Sequence, residues 1–74
     1  MTFRKGERVW ITCEGRRVEG VVLIASSNGK SLALGFEALL AGHVGVMPVL
    51  RDHDGTYRSL AGEVEVTIEK KVLQ

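Results

Sequence analysis

Two runs near the middle of the chain, Val21-Val22-Leu23-Ile24-Ala25 and Leu32-Ala33-Leu34-Gly35-Phe36, are apolar at almost every position. Each has the length of a strand rather than of a helix, and turn-forming residues bound both. Successive side chains of a strand point to opposite faces, so these two present apolar groups on both sides of a sheet. Such strands normally have helices or a second sheet laid over them. Here the only helical candidate is a single turn near 37–41, closed by Gly42 in the conformation glycine tolerates best. Two solutions remain for 74 residues. Either the sheet curls into a small barrel, or a second copy covers the face left open. Both are expected together: one all-β domain spanning 1–74 that also self-associates.

The rest of the chain fits that class. Nine glycines against one proline supply turns at short intervals, and Val, Ile and Leu fill the segments between them. Strands are expected at about 8–13, 17–25, 31–36, 44–51 and 56–60. Gly35 and the period-two alternation argue against a helix over 31–41. The last strand, "EVEVTIEK", turns Val64, Val66 and Ile68 inward and Glu63, Glu65, Thr67 and Glu69 outward. In the first, Val9, Ile11 and Cys13 share the core face, which leaves Trp10 and Thr12 outside. Glu14-Gly15-Arg16 turns the first strand into the second. Asn28-Gly29 reads as a tight two-residue hairpin turn with both residues at positive φ. Pro48 lacks an N–H, so its strand is expected at an edge or a bulge. Residues 70–74 read as a frayed tail.

Composition then limits function. Ten basic against nine acidic residues leave a net charge of +1. Nucleic-acid binders usually carry a basic excess, so a nucleic-acid partner is not favoured. Cys13 is the only cysteine, which rules out an intrachain disulfide and fits a reducing cytoplasm. "MTFRKGER" begins charged, without the apolar stretch of a signal peptide. The apolar run over 21–25 is far below the roughly 18 residues of a membrane span. A domain this small buries only roughly 60% of its unfolded surface. Disulfides, a metal or association usually compensate. His43, His53 and Cys13 lack metal-ligand spacing, so neither metal nor cofactor is expected. Association remains, as a homo-oligomer or with another protein.

Three motifs invite a sharper function. Gly29-Lys30-Ser31 ends like a phosphate-binding P-loop, but that motif needs a glycine where Ile24 stands and a helix afterwards. Asp52-His53-Asp54-Gly55 suggests a calcium loop, yet its first and twelfth positions would be Leu50 and Ala61. Cys13 and His43, with Asp52 or Asp54, have the residue types of a nucleophile, a base and an orienter. Nothing in their spacing brings them together, and a cysteine alternating with Val9 and Ile11 behaves as a small buried hydrophobe. No catalysis is expected.

Trp10 is the residue that points outward. Beside Arg8, Arg17 and Tyr57 it could anchor a partner or stack a base. The opening "KGERVWITCEGRRVEGVV" resembles the start of SH3-like small barrels. That likeness implies five or six antiparallel strands, a fold that serves RNA binding, peptide binding and assembly alike. The chain also has the character of short β-proteins of bacterial genomes and gene cassettes. Arg4-Lys5-Gly6-Glu7-Arg8 matches the R-x-x-x-R of PilZ domains, which bind cyclic di-GMP. Asn28, Ser31 and Gly35 follow in the order of that family's second motif, each gap one residue too long. The resemblance implies guanine- and phosphate-facing roles for Arg4 and Arg8. Two sets of contact residues are therefore expected. Trp10, Val21 and Leu23 serve self-association; Arg4, Arg8, Arg16, Arg17 and Trp10 serve the alternative, a nucleic-acid or cyclic-dinucleotide module.

Overall fold

Two short turns decide how the chain runs. Glu14 and Gly15 have φ of 51° and 78°, and Ala41 and Gly42 have φ of 51° and 82°. Paired positive φ values belong to the tight turn whose twist matches two antiparallel strands. The first joins β1 (Arg8–Cys13) to β2 (Arg16–Ala25), and the second joins β3 (Ser31–Leu40) to β4 (His43–Arg51). In the computed structural model, which describes residues 3–60 and 64–71, β5 (Tyr57–Ser59) and β6 (Glu65–Lys70) follow. Each strand pairs antiparallel with the next, and β6 returns to β1, so the sheet closes into a six-stranded barrel. The described residues contain no helix.

The small all-β barrel expected from the doubly apolar runs is therefore present. The helical turn near 37–41 is not. Those residues extend β3, because Ala41-Gly42 forms a hairpin turn with Leu40 opposite His43. Gly42 does favour positive φ, as the helical reading assumed, but a hairpin uses the same property.

Alternation fills the core as predicted. Val9, Ile11 and Cys13 of β1 point inward with Leu32, Leu34 and Phe36 of β3, Met47 and Val49 of β4, and Val66 of β6. Val64 and Ile68 pack against this cluster. Phe3 and Tyr57 meet edge to face, ring centroids 6.2 Å apart. Tyr57 is thus a core residue and not a neighbour of an outward Trp10.

Three further details differ from the pattern. Ser26–Lys30 form a longer loop instead of a two-residue turn, and only Gly29 takes positive φ there. The Asn28 side chain stands in for a backbone turn by accepting the N–H of Lys30 at 3.0 Å. Pro48 lies within a strand paired on both sides, opposite Ala33 of β3. The Pro48 carbonyl accepts the Leu60 N–H, and the β4–β5 ladder begins only at Val49, so the missing N–H of Pro48 falls where that ladder ends. Lys70 ends β6 and Lys71 donates its N–H to the Arg8 carbonyl; the remainder of the expected tail, 72–74, lies outside the described residues, as do Glu63 and the 61–62 connection.

Two irregularities shape the outside. Val22 faces Leu34 while Ile24 faces Ala33, so Leu23 is an extra residue in β2. Such a bulge bends its strand and shifts which side chains face outward. Between Gly35 and Leu39, β3 runs four residues against the two that separate Val46 from Val44. Gly45, at φ 81°, absorbs the mismatch.

Candidate interaction surfaces

The bulge at Leu23 turns Ile24 out to 64% exposure. It is one of seven large apolar side chains exposed among the described residues. Strand register shows that most of these form one surface. Ile24 lies opposite Ala33, Ala33 opposite Pro48, and the Leu60 N–H reaches the Pro48 carbonyl at 3.2 Å. That row crosses β2, β3 and β4 and ends on the residue after β5, without a charge. The next row joins Val21, Gly35 and Val46. Leu23 roofs the bare Gly35, its Cδ1 2.9 Å from where a β-carbon would stand. Beyond it Leu39 and Val44 pair across the hairpin at 58% and 77% exposure. Leu50 extends the β4 side. Charges border these rows: Arg8 opposite Val21, Glu37 between Gly35 and Leu39, Arg16 at the Leu39 carbonyl, and Arg58, which pairs with Asp52 at 2.7 Å.

The opposite wall, formed by β1, β6 and the start of β2, is built differently. Trp10 lies opposite Glu19 on one side and Glu69 on the other. The Arg17 guanidinium sits 4.3 Å from its ring centroid and the Lys71 ammonium 5.2 Å. Cations held over an indole face are attracted by its quadrupole. Glu19 accepts a hydrogen bond from Lys71 and pairs with Arg8 at 3.6 Å. Lys71, then Arg8, hold its carboxyl below the ordinary glutamate range. Glu7 is lowered likewise, chiefly by the Arg4 N–H at 3.0 Å and then by Lys70 at 3.2 Å.

Of the expected contact residues, Arg8, Arg17 and Trp10 do come together, and Val21 and Leu23 lie on the apolar wall. Trp10 does not join them: it belongs to the charged wall under its two cations. Arg16 reaches away, donating to the Leu39 carbonyl at 2.6 Å. Arg4 lies in the exposed turn before β1 and engages Glu7 through its backbone. The exposed apolar residues sequence reasoning missed are Ile24, Leu39, Val44, Val46, Leu50 and Leu60. Strict alternation could not find Ile24, because one extra residue reverses the parity of β2.

Between these walls β2 and β3 separate. Their pairing ends at Gly20 opposite Phe36. The earlier part of β2 then pairs only with β1, and the later part of β3 only with β4. A groove of about 760 Å³ starts here, with Val18, Phe36 and Ala38 beside Arg8, Glu19 and Glu37, and it runs on to Val21, Leu23 and Gly35 at the edge of the apolar wall.

The remaining motifs are spent on structure. In Gly29-Lys30-Ser31 each N–H is used within the loop, by Ser26 O, Asn28 Oδ1 and Ser26 Oγ. The Gly29 carbonyl accepts the buried Tyr57 hydroxyl at 3.0 Å. Asp52 and Asp54 hold the β4–β5 turn: the Asp52 backbone bonds Thr56 and Gly55, and Asp54 Oδ1 accepts the Thr56 N–H at 3.0 Å. That bond keeps the Asp54 carboxyl low. Cys13 is buried, and desolvation pushes its thiol up, away from the reactive thiolate. His43 Nε2 lies 3.0 Å from Ser59 Oγ, but Ser59 is 1% exposed and out of reach of a substrate. Among the described residues no three His, Cys, Asp or Glu side chains group as metal ligands, and no helix is long and apolar enough to cross a membrane. No family model, curated protein or solved structure matches this chain.

Proposed function

We propose that this protein is a non-catalytic assembly module that works as a homo-oligomer, its copies joined through the apolar outer wall of β2–β5. The observation that carries this reading is the uncharged row Ile24–Ala33–Pro48–Leu60, flanked by Val21, Leu23, Val46 and Val44. Apolar side chains scattered singly over a surface are ordinary; a continuous patch of this kind marks an interaction site. Symmetric pairing sets a patch against its own copy, which brings like charges together unless the patch is neutral. The Ile24–Ala33–Pro48–Leu60 row is uncharged. The near-balanced chain, net +1, adds little long-range repulsion between copies.

Thermal unfolding followed over a hundredfold range of protein concentration tests this reading. Oligomers that form only from folded chains melt at temperatures that rise with concentration. A midpoint independent of concentration contradicts the reading. Quenching of Trp10 by an oligonucleotide or by cyclic di-GMP, lost in Arg8→Ala, would favour the nucleotide-binding alternative instead.

A further inference from the structure

The opening between β2 and β3 has a property the apolar wall lacks: unpaired main chain. Residues of an antiparallel ladder direct both N–H and C=O alternately to one neighbour and then the other. The tight turn at Glu14-Gly15 makes Cys13 and Arg16 a hydrogen-bonded pair, so Arg16 and Val18 face β1. Arg17 and Glu19 therefore direct their N–H and C=O toward β3. By the same alternation, the turn at Ala41-Gly42 leaves Leu39, and with it Glu37, facing β2. No β2–β3 pairing exists beyond Gly20 and Phe36. The Arg16 guanidinium already donates to the Leu39 carbonyl, where the N–H of an intervening strand would otherwise bind.

We propose that this opening is a strand-addition site. It takes an extended segment of a partner protein, apolar on the side turned to the barrel and carrying a lysine or arginine opposite Glu37. Backbone affinity comes from the main-chain groups of Arg17, Glu19, Glu37 and Leu39, the added strand displacing the Arg16 guanidinium from the Leu39 carbonyl, as in other sheets that accept an added strand. Side-chain preference comes from the groove. Val18, Phe36 and Ala38 offer apolar contact, and the volume of about 760 Å³ suits a short peptide segment. Charge sets the remaining preference. Glu19 is already met by Lys71 and Arg8, whereas the exposed Glu37 has no cation partner among the described residues. A second copy is a poor occupant, because each described strand is paired on both sides along part of its length and has none to lend.

Amide hydrogen exchange by NMR tests this with the capped hexapeptide VTVKVT, its acidic counterpart VTVEVT, and VTPKVT, whose proline removes a donor. In the free protein the amides of Arg17, Glu19, Glu37 and Leu39 should exchange at least about tenfold faster than those of Val18 and Leu40, which face ladders. VTVKVT should slow those four by about tenfold or more, with VTVEVT and VTPKVT weaker. Glu37→Lys should reverse the preference between the lysine and glutamate peptides. Four amides already protected in dilute free protein, or no protection by VTVKVT at millimolar concentration, would overturn the proposal. So would protection that rises with protein concentration alone, which assigns the opening to a second copy. Repeating the titration with Ile24→Lys separates this site from the apolar wall: its peptide protection should be unchanged whatever its oligomeric state.

Discussion

The two outer walls of the barrel carry opposite chemistry, and alternation runs unbroken in one and is interrupted by the Leu23 bulge in the other. Around β1 and β6 the outward positions hold Arg8, Trp10, Arg17, Glu19 and Lys71, joined by cross-strand ion pairs and cations over the indole. Across β2–β5 they hold Ile24, Ala33, Pro48, Val46 and Val44, joined to nothing outside themselves. Closing the barrel requires only the inner face to be apolar, and both walls meet that need. The outer apolar row is thus surplus to folding, which is why it is the place to look for function. Exposed ion pairs such as those of the charged wall contribute little individually and are screened by salt. Apolar contact is insensitive to screening and strengthens with excluded salts.

Gly20, where the β2–β3 pairing ends, gives the largest expected effect. A β-carbon there would stand 2.5 Å from Ile11 Cδ1 and 2.6 Å from the Gly35 carbonyl. Gly20→Ala should cost about 1–3 kcal/mol or more in urea unfolding, the range of overpacked cores. Gly35→Ala should cost less, because it meets only the end of the Leu23 side chain, which can swing outward. Equal losses would mean that Ile11 and the Gly35 carbonyl give way as readily as the Leu23 side chain.

Acid separates the walls next. Glu7 and Glu19 have folded-state pKa values below their ordinary ones. Their stabilisation is present above the usual glutamate value of about 4.3. It is lost as pH falls through the lowered folded values, because protonation then favours the unfolded chain. Asp54 acts in the same sense. The melting temperature should therefore fall below about pH 4, while association through the apolar wall persists in the still-folded protein. Simultaneous loss of mass and stability would tie association to the charged wall.

Smaller effects come from single groups. Cys13 should resist alkylation until the barrel opens, reacting with Ellman's reagent at the rate of global unfolding; fast labelling of the native protein would contradict its burial. Lys71→Gln removes one cation from the indole and one partner from Glu19. It should change Trp10 fluorescence while the melting temperature moves by only a degree or two, in keeping with exposed pairs.

Much of the barrel was legible in the chain because its signals are local. Val9, Ile11 and Cys13 alternate without interruption, as do Val64, Val66 and Ile68, and both sets face the core. The doubly apolar central strands foretold apolar side chains on the outer face of the barrel as well as the inner one. What escaped is what depends on partners distant in sequence. Nothing local to Leu23 announces that it is an extra residue against β3, so the outward turn of Ile24 was invisible. Ala41-Gly42 was ambiguous between a helix end and a hairpin until His43 was seen opposite Leu40. Trp10 lies opposite Glu19 and Glu69 and is half-buried, and its two covering cations come from β2 and from beyond β6, positions that only barrel closure brings together.

The central claim, that the apolar wall joins copies of this chain, is tested most directly by light scattering behind a sizing column. Wild type and Ile24→Lys would be compared in low and high salt. The account predicts a multiple of the single-chain mass for wild type at both salts and a folded monomer for Ile24→Lys. A monomeric wild type, or an oligomer that dissolves in high salt and survives Ile24→Lys, would contradict it.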